Sequence, residues 1–138
     1  VLAASQGVGV AQGALDQAIA HVKKRQAFGQ PIGKFQAIQV KLAEMATMVE
    51  ASRLLTYQAA WLIDRGTKDP RLIAMAKWLA GETGVRVTDD ALQLHGGYGY
   101  LNEYPIERFY RDAKIVEIYE GTKEMEKLTI AHQLLGNF

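Results

Sequence analysis

The chain contains no cysteine, which excludes disulfides, thiol nucleophiles and cysteine-based metal sites. Its three histidines, His21, His95 and His132, lie too far apart to make a local metal-binding motif, and no metal site is expected. Also lacking is any uninterrupted apolar run near the roughly 20 residues needed to cross a bilayer, and the start has no secretory pattern. Membrane insertion is therefore not expected. Neither charge is in excess: 16 Lys and Arg against 15 Asp and Glu leave a formal net charge of +1, which removes the electrostatic case for binding nucleic acid. The chain opens on Val1-Leu2-Ala3-Ala4 without methionine and is expected to be a fragment or processed product.

What remains is the profile of one ordinary globular domain, with 138 residues, 49% hydrophobic and 22% charged. Residues from Leu2 to Ala27 have helical spacing, with Lys23, Lys24 and Arg25 complementing the dipole at the end. Gly7, Gly9 and Gly13 read as points of close helix packing. Phe28-Gly29-Gln30-Pro31-Ile32-Gly33 reads as a loop. A second helix is expected from Phe35 to Asp64, and at about 1.5 Å per residue it would run roughly 45 Å. Gly66 to Pro70 break it, and Arg71 to His95 read as a third. A short helix over Ile106–Ala113 and packed connecting structure through Tyr119 lead to a last helix from Thr122 to Leu135, ended by Gly136. The expected fold is all-α, an antiparallel four-helix bundle.

Three segments are candidates for chemistry. Gln93 to Gly99 joins a helix end to a glycine-rich loop whose amides could approach a phosphate, although, taken alone, helix termination is the favoured explanation. Arg25 precedes Phe28-Gly29, so a guanidinium suited to phosphate stands beside an aromatic ring; a solvated arginine and a core phenylalanine would look the same. Glu120 is delivered by the apolar run Ile115–Tyr119 to a turn before a helix. That setting suits a partly desolvated carboxylate acting as a base, and equally a surface charge in a first turn. Arg108, Arg111 and Asp112 suggest an ion-paired surface nearby.

Together these pieces resemble the acyl-CoA dehydrogenase family, with the short-chain or butyryl-type members most alike. The resemblance rests on Arg25-Gln26-Ala27-Phe28-Gly29-Gln30-Pro31-Ile32-Gly33-Lys34-Phe35-Gln36, on Gln93-Leu94-His95-Gly96-Gly97-Tyr98-Gly99, and on Tyr110-Arg111-Asp112-Ala113-Lys114 followed by Ile118-Tyr119-Glu120-Gly121-Thr122. It covers essentially the whole chain, and implies that residues 1–138 are the C-terminal helical domain of a larger homotetrameric flavoenzyme. The N-terminal helical and middle β domains would lie outside this chain.

The resemblance further implies that Glu120 takes the α-proton of an acyl-CoA while the β-hydrogen passes as hydride to FAD, giving a trans-2-enoyl-CoA. Gly121 would sit beside the thioester. Arg25, Phe28 and Gln36 would bind the FAD of an adjacent subunit, Gln93, Gly96 and Gly97 its adenosine and pyrophosphate portion, and Thr122 and Glu124 would lie beside the flavin nucleotide. Electron-transferring flavoprotein is the implied partner. The implied compartment is the cytoplasm in a bacterium or the mitochondrial matrix in a eukaryote. Two alternatives stand beside this reading: a non-enzymatic helical oligomerisation or interaction domain, and a related acyl-CoA oxidase.

Overall fold

In the computed structural model, which describes residues 1–136, five α-helices account for most of the chain. They are α1 (Leu2–Lys24), α2 (Gln36–Asp64), α3 (Pro70–His95), α4 (Ile106–Val116) and α5 (Lys123–Leu135). Residues 137 and 138 of the expected domain lie outside the described residues. No helix among the described residues is long and apolar enough to cross a membrane.

The all-α class holds, but the four-helix bundle does not. The segment read as a short accessory helix is a full packing element: α4 buries Ile106, Ala113 and Val116 and lays Phe109 over Gly13 of α1. Its amphipathic pattern is strong but only three turns long, so sequence periodicity understates it. The apolar run at 115–119 is not one connector either, because α4 takes its first two residues and a turn takes the rest.

Local chemistry sets the boundaries. The first helix stops at Lys24, earlier than its apolar pattern suggests, because Gln26–Ala27 and Gln30–Pro31 pair as a two-residue antiparallel ladder. Phe28 (φ 52°) and Gly29 (φ 78°) form its turn. Positive φ at both central residues matches the twist of a tight hairpin, at a cost for phenylalanine that glycine does not bear. Pro70 opens α3 behind Asp69, whose carboxylate accepts the Leu72 N–H at 3.1 Å. Thr122 caps α5, its hydroxyl accepting the Met125 N–H at 3.4 Å, and Gly136 (φ 75°) ends it.

Helix α3 is the central element. One apolar cluster joins Ala14, Leu15, Ala18 and Val22 of α1 to Met45 and Val49 of α2 and Val87 and Ala91 of α3. A second gathers Ala4 and Val8 with Ala59, Leu72, Ala76 and Ala80. Lys41 pairs with Asp90 across α2 and α3, and Arg53 donates to Gln12 across α2 and α1. These contacts run α2 antiparallel to both neighbours, while α1 and α3 lie side by side in the same direction. Their crossing is tight: a Cβ on Gly7 would stand 2.6 Å from the Ala80 carbonyl oxygen. Backbone, unlike a flexible side chain, cannot swing away.

Gly7→Ala should therefore force α1 and α3 apart and destabilise the protein by about 1–3 kcal/mol, the usual cost of overpacking a filled core. Gly9→Ala, where a Cβ meets nothing within 4 Å, should be neutral or slightly stabilising through helix propensity. Denaturant midpoints of the two variants measure the difference.

Candidate functional site

The expected site residues fall into two groups at opposite ends of α1. At its C-terminal end, Arg25 lies over the Tyr98 ring, 5.1 Å from the centroid. Arg25, Gln93, Gly96, Gly97 and Tyr98 border one cavity of about 370 Å³. Phe28 is 95% exposed at the hairpin tip and packs edge-on to Phe35 at 6.1 Å. Gln36 is exposed in the first turn of α2. The structure thus brings Arg25 and the glycine loop together, with Phe28 and Gln36 on the neighbouring hairpin and helix start.

The glycines of that loop do different work. Gly99 is needed for packing, since a Cβ there would lie 2.9 Å from both His95 Cβ and the Leu92 carbonyl oxygen. Gly96 (φ 60°) terminates α3. Gly97 has neither a positive φ nor any atom within 4 Å of an added Cβ. Nothing inside the domain requires glycine at 97, and the space beside it is open.

Two histidines that motif reading passed over support this corner. His21 and His95 stack with ring centroids 4.2 Å apart, and His95 Nδ1 lies 2.7 Å from the Ala91 carbonyl oxygen. That contact requires a proton on Nδ1. Burial, then the neighbouring His95 and Arg25, hold His21 below its ordinary value. A pair of histidines 74 positions apart leaves no local sequence signal.

The second group lies at the N-terminal end of α1, about 25–30 Å away at helical rise. Glu120 lines a cavity of about 520 Å³ together with Leu2, Gln6, Ile73, Lys77 and Glu126. Glu120 is exposed in this domain, because Ile115 and Ile118 on its apolar approach are half exposed rather than covering it. The buried acid of the segment is Glu117, which sequence reading missed. It pairs with Lys114 and, at 3.5 Å, with Lys123. Arg108, Arg111 and Asp112 make no such pairs among the described residues.

Glu120 (φ 56°) and Gly121 (φ 103°) are both in the left-handed half of backbone space. A Cβ on Gly121 would lie 2.7 Å from Glu126 Oε1, a flexible carboxylate that can swing aside, so it is φ that favours glycine here. Lys77, 4% exposed on α3, donates from its ammonium to the Gly121 carbonyl. Burial raises the Glu126 carboxyl, with the Lys77 charge opposing it. Thr122 is the α5 cap, and Glu124 sits in the exposed first turn. Its own backbone N–H holds the Glu124 carboxyl below the ordinary range, aided by the Thr122 hydroxyl. Lys127 reaches Glu82 at 3.7 Å and lies 4.7 Å from the Trp78 ring centroid.

The all-α domain thus carries a basic, aromatic, glycine-lined corner at one end of α1 and a strained acidic turn at the other. The model for "Acyl-CoA dehydrogenase, C-terminal domain" matches residues 1–135, and the chain belongs to the acyl-CoA dehydrogenase family. Among curated relatives, a 3-(aryl)acrylate reductase of Clostridium sporogenes is 49% identical over 132 residues, 96% of this chain and 35% of the relative. The mitochondrial short-chain specific acyl-CoA dehydrogenase of Bos taurus is 50% identical over 135 residues, 98% of this chain and 33% of that protein. Butyryl-CoA dehydrogenase from Megasphaera elsdenii has a similar structure, with a TM-score of 0.95, 44% identity and coverage of 96% of this chain and 35% of that one. The chain spans about a third of the length of the curated relatives it matches.

Glu117 gives the acidic turn a measurable signature. Burial alone would raise its carboxyl, but the hydrogen bond and charge of Lys114, with Lys123, hold it below its ordinary value of 4.5. A carboxyl depressed by folding stabilises fully above that ordinary value and loses its contribution as pH falls through the lower folded value. Glu117→Gln should therefore lower stability at pH 7 by about 1.5–3 kcal/mol, the range for hydrogen bonds to charged groups. The gap between variant and wild type should close under acid conditions, as unfolding midpoints across a pH series would show.

Proposed function

We propose that this chain is the C-terminal helical domain of an FAD-dependent acyl-CoA dehydrogenase and that Glu120 is its general base. The observation that carries this reading is the turn itself. A carboxylate on a positive-φ residue is held at the lip of a cavity, and non-glycine residues in that conformation persist where surrounding structure over-determines them, often at functional sites. Family membership over residues 1–135 supports the assignment.

The residues at the other end of α1 fit the cofactor. Arg25 offers a fork of donors to a pyrophosphate, Gly96 and Gly97 leave open space for close approach, and Phe28 exposes a ring for an apolar or aromatic surface. Gln36 and Gln93 add amide donors and acceptors at the rim. Thr122 and Glu124, at the start of α5, stand beside Glu120 and would meet the flavin end of a nucleotide. The separation of about 25–30 Å along α1 fits these two groups serving FAD molecules of different subunits, and the family resemblance adds a homotetramer in which each chain lends Arg25 and Phe28 to a neighbour.

FAD, when bound, supplies the hydride acceptor. The chain's own contribution begins with proton removal: the Glu120 carboxylate takes the proton from the carbon next to the thioester carbonyl as the β C–H bond breaks, leaving a trans-2-enoyl-CoA. Gly121 would stand beside the thioester. The Glu120 and Gly121 backbone helps polarise its carbonyl. Electron-transferring flavoprotein is the proposed electron acceptor of the full-length enzyme.

In the full-length protein, Glu120→Gln should keep fold and FAD content while slowing flavin reduction by a panel of acyl-CoA substrates about 10²–10⁴-fold, the usual worth of a positioned base. Single-turnover absorbance at the flavin band measures it. Reduction at the wild-type rate would rule out Glu120 as the base, and a full-length protein that neither binds FAD nor responds to any acyl-CoA would sink the enzyme assignment.

A further inference from the structure

The turn that carries Glu120 has little to hold it locally. Residues 117–120 are turn and Gly121 is a bend, with two consecutive positive-φ residues between the end of α4 and the cap of α5. Its backbone bonds close within the segment: Ile118 and Tyr119 N–H donate to the Ile115 carbonyl, and Lys123 N–H donates to the Glu117 carbonyl at 3.1 Å. The Glu117 carboxylate turns back to Lys114 and Lys123 of the same segment. Among the hydrogen bonds of the described residues, one fastens the 117–121 turn to an element other than the flanking α4 and α5. It runs from Lys77, in the interior of α3, to the Gly121 carbonyl.

Lys77 is an expensive choice for that contact. Its side chain is almost wholly buried, where an ammonium is disfavoured unless it is well partnered. Its hydrogen-bond partner is the Gly121 carbonyl, and the Glu126 carboxylate, whose oxygen occupies the space an added Gly121 Cβ would need, lines the same cavity. One turn further along α3, Gly81 admits Glu117: a Cβ there would lie 3.3 Å from Glu117 Cγ and 3.5 Å from its Cα. A further turn brings Gly84 opposite Ala113, with an added Cβ 3.7 Å away. Positions 77, 81 and 84 share one helix face and meet 121, 117 and 113 in reverse order. This face sets the turn's register against α3, and Lys77 is its polar lock.

We propose that Lys77 is a positioning residue for the base: by fixing the Gly121 carbonyl it fixes the adjoining peptide planes, and so the direction in which Glu120 leaves the turn. This rests on Glu120 being the base. Lys77 itself takes no part in proton transfer. Its ammonium is directed at a backbone oxygen, and the effect of removing it falls on the orientation of Glu120 rather than on capture of substrate or FAD.

The test uses the full-length holoenzyme. Lys77→Met keeps the length of the side chain and removes its charge and donors. It should retain FAD and hold acyl-CoA within about threefold of wild type while flavin reduction slows about 10–100-fold, the scale expected for a displaced catalytic group. Lys77→Arg, which restores donors with a different reach, should fall between the two. Wild-type reduction by Lys77→Met, with Glu120→Gln slow in parallel, would overturn the role of Lys77 and leave the base assignment standing. Wild-type reduction by Glu120→Gln would overturn both. Should Lys77→Met not fold, Lys77→Arg carries the test: slowed reduction with FAD and substrate affinity intact supports the proposal, and a wild-type rate overturns it. Loss of fold or FAD in both variants would also overturn it, in favour of a general folding role.

Discussion

Ala80, Gly81 and Gly84 leave the middle of α3 nearly bare on two sides, and the rest of the domain closes onto that bareness. On one side Gly7 brings the α1 backbone to within van der Waals reach of the Ala80 carbonyl. On the other, Glu117 and Ala113 sit against Gly81 and Gly84. Small residues contribute little apolar area of their own. Their value is that they let two backbones approach until larger neighbours such as Val8, Leu72, Val87 and Val116 can seal the flanks. Close packing of this kind has discrete solutions, so the direction of α1 and the height of the acidic turn are fixed together.

That coupling explains how the two ends of the domain are held at a defined distance. Helix α1 acts as a rigid spacer between the cavity that Glu120 borders and the corner where Arg25 meets Tyr98 and the glycine loop. Each end uses a different means of holding a functional group in place. At the C-terminal end, a chain of aromatic and imidazole contacts runs from His21 through His95 to Tyr104 and Tyr98, making a wall beneath the Arg25 guanidinium. At the N-terminal end, buried charge does the work, with Lys77 and Glu117 each anchoring part of a turn whose φ values glycine alone adopts without cost. A strained turn held by buried ionic contacts suits a group that must point one way.

Much of this was legible in the sequence. The long helices, the breaks at Gly66–Pro70 and Gly96, and the Thr122 cap follow from period, propensity and capping chemistry that act over a few residues. The place of α4 in the packed bundle was not, because α4 is short and its membership of the core is decided by Phe109, Ala113 and Val116 meeting residues far away in the chain. The hairpin at 26–31 was hidden for a related reason, since Phe28 is a poor residue for a positive φ. In the site, Glu120 and Gly121 stood out through order and spacing. Lys77, Glu117 and Glu126 did not, because their roles arise from burial and from a partner 44 positions away in the case of Lys77. The apolar run before Glu120 left open whether its carboxylate is covered or exposed, since such a run says nothing about which way its faces turn; in this domain it is exposed.

The claim at the centre of this account is that the Glu120 carboxylate removes a proton from the carbon beside a thioester carbonyl. A 3-thia-acyl-CoA, which has sulfur at the β position and therefore no hydride to give, isolates that step. Incubated in deuterium oxide with the full-length holoenzyme, it should exchange its α-protons, seen as loss of the corresponding proton NMR signal, and Glu120→Gln with FAD still bound should abolish the exchange. Exchange that continues at the wild-type rate in Glu120→Gln would contradict the account.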